Sequence, residues 1–195
     1  MKTTLFATVA AVAIAFSAPS MAQDMGSSPL TGAYIGLLGG YTNTELEAGG
    51  ASEDLTGGDY GIFAGFKLDK YLENSIGITG AIEAHYAWST ADEEIGGITL
   101  EKDSEFGISF RPGISISERF NPYGIIGYKR TEFDASGFGL SASEDYNGLE
   151  LGLGAEVLSY GNIGFRLEYA HTWYDEDDGL DVDEDTIRAG VSYNF

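Results

Sequence analysis

The residues able to do chemistry are few: two histidines, His85 and His171, a carboxylate run from Asp175 to Asp185, and a set of charged residues interleaved with apolar ones. His85 follows Glu83 at i+2, which on a strand puts both on one face within reach of a hydrogen bond. His171 is followed by Thr172 and Trp173, with no serine two residues on to serve as a nucleophile. The sequence therefore predicts no enzyme, since a triad needs its nucleophile, base and orienting acid together. The acidic run offers the oxygens that hard cations take, but its spacing lacks the Gly at position 6 and the Glu at position 12 of an EF-hand loop. It reads as a solvated, self-repelling segment that screens divalent cations weakly and without specificity. Cysteine is absent, so neither a thiolate metal site nor a disulfide is expected. No catalytic, cofactor-binding or metal residue is assigned.

The charged residues acquire meaning only through the elements that hold them. Lys2 precedes an apolar run from Leu5 to Phe16 and a small-residue exit at Ser20-Met21-Ala22. This pattern predicts a secretory signal over residues 1–22, with residues 23–195 forming one domain. The run is too short to span a bilayer as a helix, which needs about 20 apolar residues. No comparable stretch follows, so a membrane could be crossed only by a closed barrel. The 28 glycines argue against long helices and the 23 Tyr and Phe residues favour pleated surfaces.

Period-2 alternation then defines the strands. Leu149, Leu151, Leu153, Ala155 and Val157 oppose Gly148, Glu150, Gly152, Gly154 and Glu156. Ile163, Phe165, Leu167, Tyr169, His171 and Trp173 oppose Gly164, Arg166, Glu168, Ala170 and Thr172. Ile187, Ala189, Val191, Tyr193 and Phe195 oppose Arg188, Gly190, Ser192 and Asn194. Segments beginning near residues 33, 60, 78, 106 and 123 bring the total to eight, an even number as in bacterial barrels. Tyr123 to Tyr128 fits either face, and Pro112-Gly113 reads as a bulge. Long connections over 42–58, 89–104, 132–146 and 174–185 alternate with short ones over 69–75, 117–121 and 159–162. The expected fold is all-β: an eight-stranded antiparallel up-and-down transmembrane β-barrel. A soluble two-sheet sandwich shares the alternation but does not predict the long-short rhythm or aromatic residues at segment ends.

On that barrel the inward set contains Lys67, Arg111, Lys129, Arg166 and Arg188 beside Glu83, Glu105, Glu150, Glu156 and Glu168. An eight-stranded barrel is just wide enough to be filled by side chains, so these ten are expected to pair into a structural plug. Twenty-one of the 31 acids fall in the four long connections, where Lys102 is the single base. The net charge of −21 argues against nucleic acid as a partner. The expected role is structural, in the envelope, with acidic extracellular loops. A narrow passive channel, helped by inward glycines such as Gly61, Gly65 and Gly152, and a surface-interaction role through the loops are the alternatives.

Gly32-Ala-Tyr-Ile-Gly-Leu-Leu-Gly-Gly-Tyr41, Pro122-Tyr-Gly-Ile-Ile-Gly-Tyr128, Arg166-Leu-Glu-Tyr169 and Ala189-Gly-Val-Ser-Tyr-Asn-Phe195 occur in this order. In them the chain resembles the small OmpA/OmpX and opacity-type outer-membrane barrels, often called porin-family proteins. The long-short rhythm of the connections puts both chain ends in the periplasm, and the resemblance implies residence in the bacterial outer membrane and contact with its lipid. It also implies that Val191, Tyr193 and Phe195 are read by the outer-membrane assembly machinery. Some barrels of this size are lipid deacylases with a His-Ser arrangement, and there the likeness fails at the missing serine.

Overall fold

The computed structural model describes residues 30–48, 51–72, 76–95, 98–116, 119–137, 140–159, 162–175 and 180–195. The signal segment, Phe138, Tyr160 and part of the 175–185 run lie outside them. Nine strands are formed: β1 (Gly32–Ala48), β2 (Ala51–Tyr71), β3 (Ile76–Ser89), β4 (Asp92–Ile95), β5 (Ile98–Ile116), β6 (Phe120–Gly137), β7 (Leu140–Leu158), β8 (Ile163–Tyr174) and β9 (Leu180–Asn194). Every pairing is antiparallel, β1 pairs with β9, and β3 pairs with β5. The sheet therefore closes as eight long strands, and β4 is a short addition at one end.

The barrel is apolar outside and polar inside. On β7, Leu153 is 71 % exposed while Glu150 is 2 % exposed, the reverse of a water-soluble sandwich. The same alternation fixes β6, where Tyr123, Ile125 and Lys129 are buried and Ile126 and Tyr128 point out. Outward aromatics cluster at the polar boundary, where Tyr60 stacks on Trp88 at 5.9 Å and Tyr86 meets Trp88 edge-on at 4.9 Å. Such side chains suit the headgroup level.

The expected long loops are corrected. β1 and β2 pair from Gly32↔Lys67 to Ala48↔Ala51, and β6 and β7 stay paired to Gly137↔Leu140. The acidic stretches are mostly β-ribbons that continue the barrel wall past its apolar band. Backbone groups there pair with one another, and alternation persists with Thr42 and Thr44 inward and Glu45 outward. The expected bulge is corrected too. The β3–β5 register runs unbroken through Gly80↔Pro112, and the irregularity falls at Lys102/Ser104.

At the opposite end the turn before β8 places Asn162 at φ 67°, a conformation that Asn tolerates better than most side chains. Its carbonyl accepts the Asn194 amide at 2.9 Å. Gly32, at φ +143°, lies where an added Cβ would come 2.7 Å from the Phe195 carbonyl oxygen. Glycine there lets the first and last strands close.

Candidate functional site: the charged barrel interior

Among the described residues thirteen charged side chains form the paired interior, and ladder register sets their levels. At the ribbon end Asp59 of β2, Lys102 of β5 and Glu184 of β9 converge. Lys102 Nζ lies 3.2 Å from Asp59, 3.0 Å from Glu184 and 2.9 Å from Glu105. Thr42 donates to Asp59, and Thr44 donates to Glu184 at 3.2 Å. One level deeper, Glu105 lies among Lys102, Lys129 at 3.3 Å, Arg188 at 3.8 Å and His85 at 3.5 Å. Lys129 pairs with Glu184, and Arg188 with Glu150.

Arg188 carries the chain onward, its Nε 3.6 Å from Glu168. Glu168 pairs with Arg111, accepts the Tyr123 hydroxyl at 2.6 Å and meets Arg166 Nε at 3.1 Å. Glu83 receives a two-pronged contact from Arg166 at 2.6 and 3.0 Å, Arg111 at 2.7 Å and the Tyr34 hydroxyl at 2.9 Å. Forked guanidinium contacts of this kind fix orientation as well as charge. The Arg166 guanidinium also lies 3.3 Å above the Phe63 ring. Lys67 and Glu156 form a separate pair toward the turn end.

All ten residues chosen from the sequence point inward and engage carboxylate–base pairs. Three more were missed: Asp59, Lys102 and Glu184. Lys102 and Glu184 fall in stretches that the sequence reads as long connections. Lys102 stands three residues before the inward Glu105, so simple alternation puts it outside, and the bulge at Lys102/Ser104 turns it in. Among the described residues the paired set is six bases and seven acids, not five and five. His85 faces Glu105 and not Glu83.

Inward Gly65, Gly107, Gly154 and Gly190 are seats for large side chains, and Gly61 and Gly152 lie against the backbone and an alanine of the neighbouring strand, so none of the six borders open space. A Cβ on Gly107 would strike the His85 ring, one on Gly65 or Gly154 a tyrosine, and one on Gly190 would come within 2.8 Å of Arg166. A cavity of about 10 Å³ bordered by Lys67, Arg111 and Arg166 has room for roughly one water. Leu55, Ala91 and Val182, each 1 % exposed, lie beyond the network at the ribbon end, and Leu30 and Leu158 are buried at the other.

A closed antiparallel barrel with an even set of long strands, an apolar exterior and charged side chains filling its interior is the construction of a bacterial outer-membrane protein. The sequence matches the outer membrane protein beta-barrel domain over residues 8–195, and the chain belongs to that family. Among solved structures, Neisserial surface protein A (NspA) is 15 % identical with a TM-score of 0.57, over 84 % of this chain and 99 % of that one. Ail, the attachment invasion locus protein of Yersinia pestis, solved with a heparin analogue, is 18 % identical with a TM-score of 0.46, over 83 % and 99 %. OprG from Pseudomonas aeruginosa is 14 % identical with a TM-score of 0.41, over 85 % and 96 %. No curated protein matches the sequence.

Proposed function

We propose that this protein is a structural barrel of the outer membrane whose interior is a charge-paired plug, with the acidic ribbons outside the cell and the described chain ends in the periplasm. The observation that carries this reading is the chain of ion pairs from Asp59 to Glu83. The cavity that it borders has room for roughly one water, and buried apolar side chains flank it at both ends. The reading is non-enzymatic: Thr172, the hydroxyl next to His171, is buried on the opposite face of β8. Residues 1–22 act as the export signal, so the mature protein begins at Gln23, and Val191, Tyr193 and Phe195, all exposed outward, engage the assembly machinery.

The test is Arg166→Ala, compared with wild type and Glu45→Ala in lipid vesicles. Removing Arg166 strips Glu83 of its forked partner and leaves it Arg111 and the Tyr34 hydroxyl, and breaking a buried pair costs up to about 3–5 kcal/mol. The unfolding free energy from urea titration should fall by that measure, and its midpoint with it. Glu45 is exposed and faces Asp54 and Asp183 across the ladder, so its removal should stay within about 0.5 kcal/mol. Planar-bilayer recording should find wild type silent. A reproducible unit conductance in wild type, or a wild-type midpoint for Arg166→Ala, rejects the plug.

A surface role is the second reading, favoured by the paired ribbons that project past the apolar band. Binding of an extracellular partner that is lost when residues 43–57 of the β1–β2 ribbon are replaced by a short turn would promote it.

A further inference from the structure

Charge is not balanced evenly along the interior. Toward the turn end Lys67, Arg111 and Arg166 meet Glu83, Glu156 and Glu168, three against three. Toward the ribbon end Lys102, Lys129 and Arg188 meet Asp59, Glu105, Glu150 and Glu184, so among the described residues one carboxylate there lacks a base of its own. Glu105 is that carboxylate. Each base beside it also serves another acid: Lys102 serves Asp59 and Glu184, Lys129 serves Glu184, and Arg188 serves Glu150. A surplus charge in so narrow and dry a lumen is costly.

The surplus falls where His85 stands. Its side chain on β3 is 3 % exposed, and register sets it between Phe63 of β2 and Gly107 of β5. A Cβ on Gly107 would come 2.3 Å from the ring, so glycine there is what admits the imidazole. His85 Nε2 lies 3.5 Å from Glu105 Oε1, and neither ring nitrogen has a hydrogen-bond partner. Glu150 of β7 also acts on the ring. The remaining charged groups are engaged with one another: Glu83, two residues earlier on β3, is held by Arg111 and Arg166, and from β8 Glu168 pairs with Arg111 while Tyr174 lies 5.7 Å from Lys129.

We propose that His85 is an imidazolium in the folded barrel at neutral pH, the counter-ion of Glu105, and that it brings the interior to seven charges of each sign. The proposal rests on the plug reading, from which it takes a dry interior. Folding then takes up a proton, because histidine in an unfolded chain is neutral above about pH 6.5. The stability this contributes is complete below that pH and is lost as pH rises through the titration of the folded ring. The barrel is therefore built to loosen in alkali at one interior position.

The chain has two histidines, so His171→Gln leaves His85 as the single ring for nitrogen NMR of isotope-labelled histidine. In the protein folded in detergent, ring shifts at about pH 7.5 should be those of the doubly protonated form, and in urea those of the neutral form. Glu105→Gln removes the surplus carboxylate, and the folded ring should then be neutral at the same pH. In lipid vesicles the unfolding equilibrium constant of wild type should rise, relative to His85→Gln, by up to about tenfold per pH unit above about pH 7. A neutral ring in folded His171→Gln overturns the proposal whether or not the interior variants fold. A ring still charged in Glu105→Gln, or a pH slope that His85→Gln leaves unchanged, overturns it as well. A conducting wild type whose ring is charged rejects the plug and upholds the ion pair.

Discussion

Arg130 and Arg166 carry the same guanidinium in different media. Arg130 points outward from β6 and pairs with Asp145 at 2.5 Å where both are about half exposed, so water and salt screen the pair and it adds little to stability. Its direct hydrogen bond still holds the Asp145 carboxyl below the usual aspartate range. A depressed carboxylate contributes stability that is present above its unfolded pKa and is lost as pH falls through the folded value, so this pair weakens only on the acid side of about pH 4. Arg130→Ala should raise the Asp145 titration midpoint, read by carboxyl carbon NMR, to the ordinary aspartate range, with the thermal midpoint hardly moved. An unmoved titration rejects the attribution to Arg130. Inside the barrel, sequence alternation told which of these charges share the interior, but not who meets whom. Arg166 has Glu168 beside it on its own strand, yet its forked partner is Glu83, 83 residues away across the lumen. That partner depends on barrel diameter and strand stagger, which no local spacing encodes.

At the scale of the strand, the apolar faces of β7, β8 and β9 could be read directly because leucines, aromatics and valines alternate with glycine and charge. The ribbons could not, because the apolar face ends at Tyr41 while the strand runs on with threonine inward and glutamate outward. The β-branched Thr42 and Thr44 were the available signal. The bulge was misplaced because Pro112-Gly113 has the composition of an irregularity, whereas Lys102-Asp103-Ser104 does not. The cation it aims is testable directly: Lys102→Met leaves Asp59, Glu105 and Glu184 sharing fewer cations, and the unfolding free energy from urea titration should drop by about 3–5 kcal/mol. Deleting Asp103 puts Lys102 two residues before Glu105, where plain alternation keeps it inward, so the deletion should cost less than Lys102→Met. A deletion as costly as Lys102→Met would mean that the bulge itself is needed to aim Lys102.

For the molecule as a whole, the seam between β1 and β9 decides whether there is a barrel at all. Phe195 donates its amide to the Ala33 carbonyl at 2.9 Å and its ring meets Tyr193 edge-on at 5.1 Å. Deleting Phe195 should reduce the folded protein in the outer membrane far more than it reduces export, measured by comparing membrane and periplasmic fractions. Wild-type membrane levels would count against a role for this residue in assembly.

That seam also sets an order in time. The other long seams join strands that follow one another in the chain, so each can form between near neighbours in sequence. Thr42 and Thr186, neighbours across the closing seam, are 144 residues apart in sequence, and no shorter chain can bring them together. Contacts of such separation form slowly, because the loop they close must be ordered before the contact repays it. Until β9 arrives, the open edge of β1 presents amides and carbonyls that hydrocarbon cannot satisfy. The unfinished chain is thus barred from lipid and has to wait in water with its apolar face uncovered, and the length of that wait sets its exposure to aggregation and proteolysis.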